Sequence, residues 1–421
     1  MNNLDNLYKE LGDKVCLFPF FGTFYSTIDS STNNLPKVNT VRACSLFKKI
    51  SPVINGNILE SINTDEYRTL RKKFASGQFN QIAECSACHI NENNGTSSAR
   101  LGNNQYFSEH LNIDVVQTVK DIINNDYRVD KILNLDYFPS NYCNYSCVMC
   151  SSGASSSRRT YELKVLNQSS QITINTPDLD FFDILQTVQI INFTGGETVL
   201  QPQVTNIINY LVQENLAANI TIFLLTNASS YPDHLVDHFT KFKKVVYMCS
   251  IDGIGEVLEY QRRGAVWSEV ETNIIRLNHN RALSTVNNYV LTAINCLSFM
   301  DLVDWIAKNQ IKHVAVSMVS QKFLGVAVLP LKLRDLAMIR LMQGQQTYSQ
   351  GTHARQLIDQ VIAALQNTVY EPALLPRFIK HILLEDSVSK KSLIEVVPEW
   401  REYFHEYSML QKELPILTES P

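Results

Sequence analysis

Residues 143–150 read Cys143-Asn144-Tyr145-Ser146-Cys147-Val148-Met149-Cys150, and this stretch decides the fold. Its three thiols stand four and three residues apart, directly after an apolar run at 132–138 that favours a strand. A compact loop at a strand end can direct three thiolates at one iron–sulfur cluster. A cubic cluster has four irons, so three cysteines leave one iron open. A zinc site and three unrelated thiols are the other interpretations of this spacing.

Outward from this loop, apolar runs alternate with segments of helical spacing. The runs are rich in Val, Ile, Phe and Tyr, which favours strands. They lie at 132–138, 188–193, 220–225, 245–251, 289–294 and 314–319. Alternation of this kind predicts parallel βα units. The sequence therefore predicts an α/β fold in which residues 126–330 form a partial (β/α)6 TIM-like barrel, with ligand chemistry at the carboxyl ends of its strands.

The two regions that flank this predicted barrel have different sequence patterns. Residues 1–125 show no long alternating strands and predict a small domain that is stapled by metal because it has few core residues. Four cysteines lie among its polar turns: Cys16, Cys44, Cys85 and Cys88. Spacing alone leaves both a zinc site and a 4Fe-4S cluster open for these thiols. Residues 331–421 have apolar residues at helical intervals and predict a helical C-terminal region.

Composition excludes some functional classes. The chain has 421 residues, 45% of them hydrophobic, and a net charge of −4, which argues against a broad nucleic-acid surface. No segment approaches the roughly 18–20 apolar residues that span a bilayer. Residues 1–12 lack the basic start and apolar run of a signal peptide. We therefore expect a cytoplasmic protein without a membrane partner, whose nine cysteines stay reduced and can bind metal.

The three-thiol motif resembles that of the radical S-adenosylmethionine (SAM) superfamily. Met149 stands where the family often has an aromatic residue, and this departure leaves the three cysteines untouched. The resemblance implies that Cys143, Cys147 and Cys150 bind a 4Fe-4S cluster whose open iron chelates SAM. It further implies reductive cleavage of SAM to a 5′-deoxyadenosyl radical. The electron would come from an external donor such as flavodoxin or ferredoxin.

The same resemblance assigns SAM contacts to the ends of the following strands. Gly195, Gly196 and Glu197 end the second predicted strand, and the family uses this pattern to hold the methionine amino group. Four more contacts to the ribose and the methionine part are implied: Asn227, Ser250, Asp252 and Arg262. Arg262 would pair with the methionine carboxylate through a bidentate fork. For Ser250 and Arg262, a local hydrogen bond or a surface charge stays an open alternative.

The N-terminal cysteine region resembles the auxiliary-cluster domains called SPASM or twitch. The matching features include Cys16 before Pro19-Phe20 and Cys44 after Val41-Arg42. In most relatives this domain follows the barrel, whereas here it precedes it. The resemblance favours a second 4Fe-4S cluster over zinc on Cys16, Cys44, Cys85 and Cys88. Such a cluster would accept or relay electrons, or hold the domain together.

Cys296 follows the fifth predicted strand, at an end of the barrel that would face the radical. A thiol there could donate a hydrogen atom to a carbon radical, as some radical epimerases need. The alternative is a small buried side chain, which is common for a free cysteine.

Two functions follow from these patterns. The leading hypothesis is hydrogen abstraction from a peptide or an amino-acid-like small molecule, ending in oxidation, crosslinking or epimerisation. The alternative is a zinc-stabilised binding protein on a radical SAM-like scaffold without catalysis. The complete set of motif cysteines and the Gly195-Gly196-Glu197 stretch favour the enzyme.

Overall fold

The computed structural model describes residues 3–28, 38–93, 97–165 and 182–413. The chain divides into two compact units. The first unit comprises Met1–Tyr142, Gln171–Leu224 and Asp233–Val245. The second comprises Cys143–Ser170, Leu225–Pro232 and Val246–Pro421. The predicted domain boundaries at residues 125 and 330 stay predictions.

Nine strands occur in the described residues. They are β1 Gly22–Ile28, β2 Val38–Arg42, β3 Ser51–Pro52, β4 Asn134–Phe138, β5 Ile190–Phe193, β6 Thr221–Thr226, β7 Lys244–Ser250, β8 Ser284–Leu291 and β9 Val314–Met318.

Nineteen α-helices accompany these strands in the same ranges. They are α1 Asn3–Leu11, α2 Phe18–Phe21, α3 Ile58–Ser61, α4 Asp65–Ala75, α5 Ser86–Asn93, α6 Ala99–His110, α7 Val115–Asn124, α8 Ser156–Val165, α9 Phe182–Leu185, α10 Pro202–Gln213, α11 Val236–Phe239, α12 Gly255–Gln261, α13 Trp267–His279, α14 Phe299–Lys308, α15 Leu331–Thr347, α16 His353–Asn367, α17 Leu375–Asp386, α18 Leu393–Val396 and α19 Arg401–Glu413.

The strands of the first unit follow the order β3-β2-β1-β4-β5-β6. Strands β1, β4, β5 and β6 run parallel to one another, and β2 pairs with β1 in the antiparallel direction. Residues 1–125 show no long alternating pattern, yet they contain the seven-residue strand β1, whose residues Gly22–Ser26 pair with β4. Since β1 carries Phe24 and Tyr25 between small polar residues, it gives only a weak alternating pattern.

The second unit contains the parallel strands β7, β8 and β9 in that order. Along β8, half-buried and buried residues alternate without a break. Successive side chains of a strand point to opposite faces, so one face of β8 packs into the core and the other stays partly open.

Helices bury one face because their apolar residues recur at helical spacing. Helix α10 begins at Pro202, whose fixed φ suits the first turn, and its buried residues are Val204, Ile207, Ile208 and Leu211. Helix α15 buries Leu333, Ala337, Leu341 and Gly344 in the same way.

Five helices, α15 to α19, make up the C-terminal region, which confirms the helical prediction there. Trp400 is fully buried among them, with its indole N–H donating to the carbonyl oxygen of Ala293 at 3.3 Å. Its ring lies 4.7 Å from that of Phe378. The α/β class with a parallel sheet is confirmed as well, and it agrees with a partial TIM-like barrel. Within the described ranges, every helix is too short or too polar to cross a bilayer.

Candidate active site

The loop at residues 143–150, called the cluster loop below, gathers the three predicted ligands of the second unit. Cys143 and Cys147 are buried and Cys150 is half-buried. They pack with Tyr145 and Met149 into one apolar group. The thiols therefore share a water-poor environment on one short stretch of chain.

Hydroxyl groups at the start of α8 hold the first half of this loop. The backbone N–H of Cys143 donates to the Ser156 hydroxyl at 3.1 Å, and the Ser157 hydroxyl donates to the Cys143 carbonyl at 2.7 Å. The Ser155 hydroxyl donates to the Tyr145 carbonyl at 2.6 Å. The serine run that follows the motif is thus a scaffold that the sequence analysis did not identify.

A second segment, residues 261–264, holds the other side of the loop. The N–H of Ser146 donates to the Arg263 carbonyl, and the N–H of Val148 donates to the Gln261 carbonyl, at 2.9 and 2.8 Å. Gly264 has φ +103, and a Cβ there would lie 3.2 Å from the Asn144 carbonyl oxygen. Glycine is needed at this position because the two backbones approach so closely.

The environment of the three thiols influences their protonation. Burial raises the pKa of Cys147 to about 12, the Arg262 guanidinium opposes this rise, and the neighbouring Cys150 and Cys143 add to it. The three sulfurs are therefore close enough to influence one another's charge. Iron can replace their protons and so remove the cost of buried thiolates. The donor set fits an iron–sulfur cluster held by three cysteines.

Arg262 and Asp252 form an ion pair beside the loop. Arg262 Nη2 lies 2.6 Å from Asp252 Oδ2, and Arg262 Nη1 lies 4.0 Å from the Cys147 sulfur. Asp252 Oδ1 accepts the N–H of Val290 at 2.9 Å. Two of the predicted SAM contacts are thus brought together, while the pairing of Arg262 with a methionine carboxylate stays a prediction.

Asn227 also lies against the loop. Its Nδ2 donates to Asn144 Oδ1 at 2.9 Å and lies 3.9 Å from the Cys143 sulfur, and its Oδ1 accepts the N–H of Ser229. Ser250, the last residue of β7, is half-buried. Asn227, Ser250 and Asp252 therefore end or directly follow strands, whereas Arg262 follows helix α12, and their contacts with SAM stay predictions.

The first unit holds the Gly195-Gly196-Glu197 stretch at the end of β5. The N–H of Gly196 donates to the Ser140 carbonyl at 3.2 Å, and the N–H of Glu197 donates to the Tyr142 carbonyl at 2.8 Å. Glu197 is fully buried, and its carboxylate caps the short 3₁₀ helix Thr198–Leu200. The two glycines allow this close approach, because a Cβ at Gly196 would lie 1.9 Å from the Tyr142 oxygen.

Gly196→Ala should therefore disrupt the end of β5. The added methyl would overlap backbone atoms, which cannot move as a flexible side chain can, so we expect a loss of about 3 kcal/mol or more in unfolding free energy. Urea unfolding measures it. The control is Gly102→Ala in α6, where a Cβ would meet no described atom within 4 Å. Equal stability of the two variants would contradict the assigned packing.

The four N-terminal cysteines come together in the first unit. Burial raises the pKa of Cys16, and the nearby thiols of Cys44, Cys85 and Cys88 raise it further. In the part of the chain that the structure describes, no three His, Cys, Asp or Glu side chains, in this region or in the cluster loop, form a group that could hold one metal ion. An iron–sulfur cluster at either place therefore stays a prediction.

Arg100 supports the Cys16 segment. Its guanidinium pairs with Glu92 at 2.7 Å and donates to the carbonyls of Asp13 and Val15, each at 2.7 Å. A buried cation thus lies beside the chain that leads to Cys16.

Cys296 begins the 3₁₀ helix Cys296–Ser298 and is 2% exposed. Burial raises its pKa to about 12, so the group stays a protonated thiol at neutral pH. Only the protonated form can donate a hydrogen atom. Its role as a donor stays a prediction.

A buried carboxyl on β4, that of Asp136, was not predicted from the sequence. Asp136 Oδ1 accepts hydrogen bonds from Asn192 Nδ2 at 2.6 Å and from Asn134 Nδ2 at 3.1 Å. Burial raises the pKa of Asp136 to about 6, although both amides oppose the rise. The available signal was the presence of Asn134, Asp136 and Asn192 within apolar runs that predict buried strands.

Asp136→Asn should stabilise the protein in a pH-dependent way. With a folded pKa of about 6 against the usual 3.8, this carboxyl contributes its full stability below pH 3.8 and loses it as the pH rises through 6. We expect the variant to gain on the order of 2 kcal/mol at neutral pH and nothing in acid. Urea unfolding across pH measures this. Asp130→Asn, at an exposed position, is the control, and a pH-independent gain would contradict the argument.

Comparison with known proteins identifies the domain that carries the cluster loop. Residues 137–306 match the family model described as "Radical SAM superfamily". Solved structures with similarity include anSMEcpe with bound AdoMet and Kp18Cys peptide, at 17% identity over 44% of this chain and 51% of that one, TM-score 0.35. Streptococcus suis SuiB bound to precursor peptide SuiA has 14% identity over 85% and 74%, TM-score 0.37.

A third structure is TsrM from Kitasatospora setae, a radical S-adenosylmethionine methyltransferase with cobalamin and a 4Fe-4S cluster. It has 14% identity over 45% of this chain and 37% of that one, TM-score 0.33. The chain spans 51%, 60% and 58% of the length of three anSMEcpe structures. A search of curated proteins gave no match. Over residues 137–306, the chain therefore carries a domain that matches the radical SAM superfamily.

Proposed function

We propose that this enzyme cleaves SAM reductively and uses the resulting 5′-deoxyadenosyl radical to abstract hydrogen from a peptide or amino-acid-like substrate. The supporting observation is the cluster loop, where Cys143, Cys147 and Cys150 share one buried group within the matched domain. The resemblance of residues 1–125 to auxiliary-cluster domains supports the substrate class.

The three loop cysteines would hold a 4Fe-4S cluster. When bound, this cluster supplies one electron and one iron that is open to the amino and carboxylate groups of SAM. Burial of the thiols excludes water from their surroundings, and the Arg262 guanidinium beside Cys147 favours the thiolate form. The loop is held by hydrogen bonds on two sides, so its thiols need little reorganisation.

SAM itself would be held by the strand ends. Glu197 offers a buried carboxylate for the methionine ammonium, and Gly196 brings backbone close to it. Asn227 and Ser250 offer amide and hydroxyl groups for the ribose. The Asp252–Arg262 pair presents both signs of charge for the amino acid end.

Cys16, Cys44, Cys85 and Cys88 would hold a second 4Fe-4S cluster. Four cysteine ligands leave no iron free for substrate, which favours electron transfer or a structural role. We also propose a cytoplasmic location, with flavodoxin or ferredoxin as electron donor. Zinc without acid-labile sulfide in this region would overturn the proposal for the second cluster.

Turnover without added substrate tests the central proposal. The anaerobically reconstituted protein is mixed with a reductant and SAM, and 5′-deoxyadenosine is quantified by chromatography. Formation of 5′-deoxyadenosine that disappears in Cys143→Ala is expected. An iron-loaded protein that forms none would overturn the assignment.

Deuterated solvent separates the reaction outcomes once a substrate is found. Donation from the Cys296 thiol would place deuterium on carbon, because a thiol proton exchanges with solvent. We expect Cys296→Ala to lose this incorporation. If the variant keeps turnover and stereochemistry, Cys296 is not the donor.

A further inference from the structure

We propose that Arg42, Phe24, Asp136 and Asn192, called the charged row below, bind a short dipolar peptide, with its ammonium on Asp136 and its carboxylate on Arg42. This inference rests on the proposed function and deepens it by naming the chemical class of the substrate.

Strand register places these four residues side by side in the first unit. Phe24 on β1 pairs with Arg42 on β2 and with Asp136 on β4, and Asp136 pairs with Asn192 on β5. Their side chains share one face. The Arg42 guanidinium carbon lies 4.9 Å from the Phe24 ring centroid, and Asn192 donates to Asp136.

Asp136 has no cationic partner in the described ranges. Both amide hydrogen bonds of the described residues fall on its Oδ1. The residue is 8% exposed. A buried carboxyl without a counter-charge is costly, and a ligand ammonium would remove that cost.

Arg42 carries the opposite charge. Its Nε is buried and lacks a hydrogen-bond partner within the described ranges, and the nearby Cys44 thiol opposes the lowering of its pKa by burial. The guanidinium makes a cation–π contact with the Phe24 ring. A fixed guanidinium with free donors suits the two oxygens of a carboxylate.

The charged groups of Arg42 and Asp136 do not pair with each other. Their separation suits a short peptide that contacts both. The backbones of Arg42 and Asp136 are two strands, or about 10 Å, apart, and the Arg42 guanidinium reaches over Phe24 on the strand between them. An extended peptide of three residues spans about 10 Å as well. The face is partly open, because Phe138 and Asn192 are half-buried, whereas the opposite face carries fully buried Leu135 and Ile191.

Three probes test the charged row: triglycine, N-acetyl-triglycine without the ammonium, and triglycinamide without the carboxylate. Their binding to the reconstituted full-length protein is measured by calorimetry. We expect triglycine to bind best, with Asp136→Asn and Arg42→Gln each weakening it about tenfold or more.

Each variant should stop distinguishing triglycine from the one probe that lacks the terminal charge bound by the substituted residue. Asp136→Asn should bind N-acetyl-triglycine as the parent does, and Arg42→Gln should do the same with triglycinamide. A misfolded variant would instead weaken every probe. Asp130→Asn and Arg128→Gln repeat the same charge changes at exposed positions of the first unit and should leave binding intact.

Several results would overturn the charged row. They are equal binding of all three peptides, binding that neither variant changes, and no binding at millimolar triglycine. Uncoupled 5′-deoxyadenosine formation is read in the same preparations. If the protein cleaves SAM but does not bind triglycine, only the proposal that the charged row binds a peptide is wrong. If the protein binds triglycine through the charged row but does not cleave SAM, only the proposed function is wrong.

Discussion

Replacing Cys147 by alanine should remove the iron of the cluster loop and abolish 5′-deoxyadenosine formation. Cys147 lies in the middle of the loop, and its sulfur is buried next to the Arg262 guanidinium. Two remaining cysteines cannot retain a cubane against loss of iron, and the shell around them excludes water as a replacement ligand. If both sites hold clusters, the protein should lose about half of its iron and sulfide.

Anaerobic iron and sulfide analysis, together with product chromatography, measures this effect. Cys249→Ala is the matched control, because Cys249 is buried in β7 and no ligand role is proposed for it. We expect the control to keep both its iron and its turnover. Cys147→Ala protein with full iron content and turnover would contradict the assigned ligand set.

Replacing Glu385 by alanine should strongly destabilise the second unit. Glu385 on α17 is fully buried and pairs with Arg158 at 2.7 Å and Arg263 at 2.6 Å. The Tyr161 ring lies 4.5 and 4.8 Å from the two guanidinium groups. Removing the carboxylate leaves the Arg263 guanidinium without its ion-pair partner and Arg158 with Glu162 alone, and breaking a buried pair in this way typically costs about 3–5 kcal/mol.

The same substitution should loosen the cluster loop. Arg158 belongs to α8, whose first turn holds Cys143, and the Arg263 carbonyl accepts the N–H of Ser146. Urea unfolding measures stability, and iron retention after gel filtration measures the loop. Glu402→Ala, which removes an exposed partner of Lys332, is the control and should change neither. Equal behaviour of the two variants would rule out a coupling role for Glu385.

The catalytic core of the fold was predictable because its signals are local. The run at 132–138 became β4 at Asn134–Phe138, and the run at 314–319 became β9 at Val314–Met318. Short apolar runs that are rich in β-branched and aromatic residues are visible within a few positions of the sequence. The motif cysteines are local in the same sense, since one loop carries all three.

The remainder depends on contacts between distant parts of the chain. Arg263 and Glu385 are 122 positions apart, and no spacing rule connects them. Asp252 follows β7 and Arg262 follows helix α12, so their mutual pairing depends on how the segment after β7 folds back. β1 was missed because its parallel partner β4 lies more than a hundred residues away.

The most direct test of the open-iron claim is the electron paramagnetic resonance spectrum of the reduced Cys88→Ala variant, recorded with and without SAM. This variant should lack the second cluster, so its remaining iron belongs to the cluster loop. The account predicts that iron and sulfide remain and that SAM shifts the spectrum. An iron-free protein, or a spectrum that SAM leaves unchanged, would contradict it.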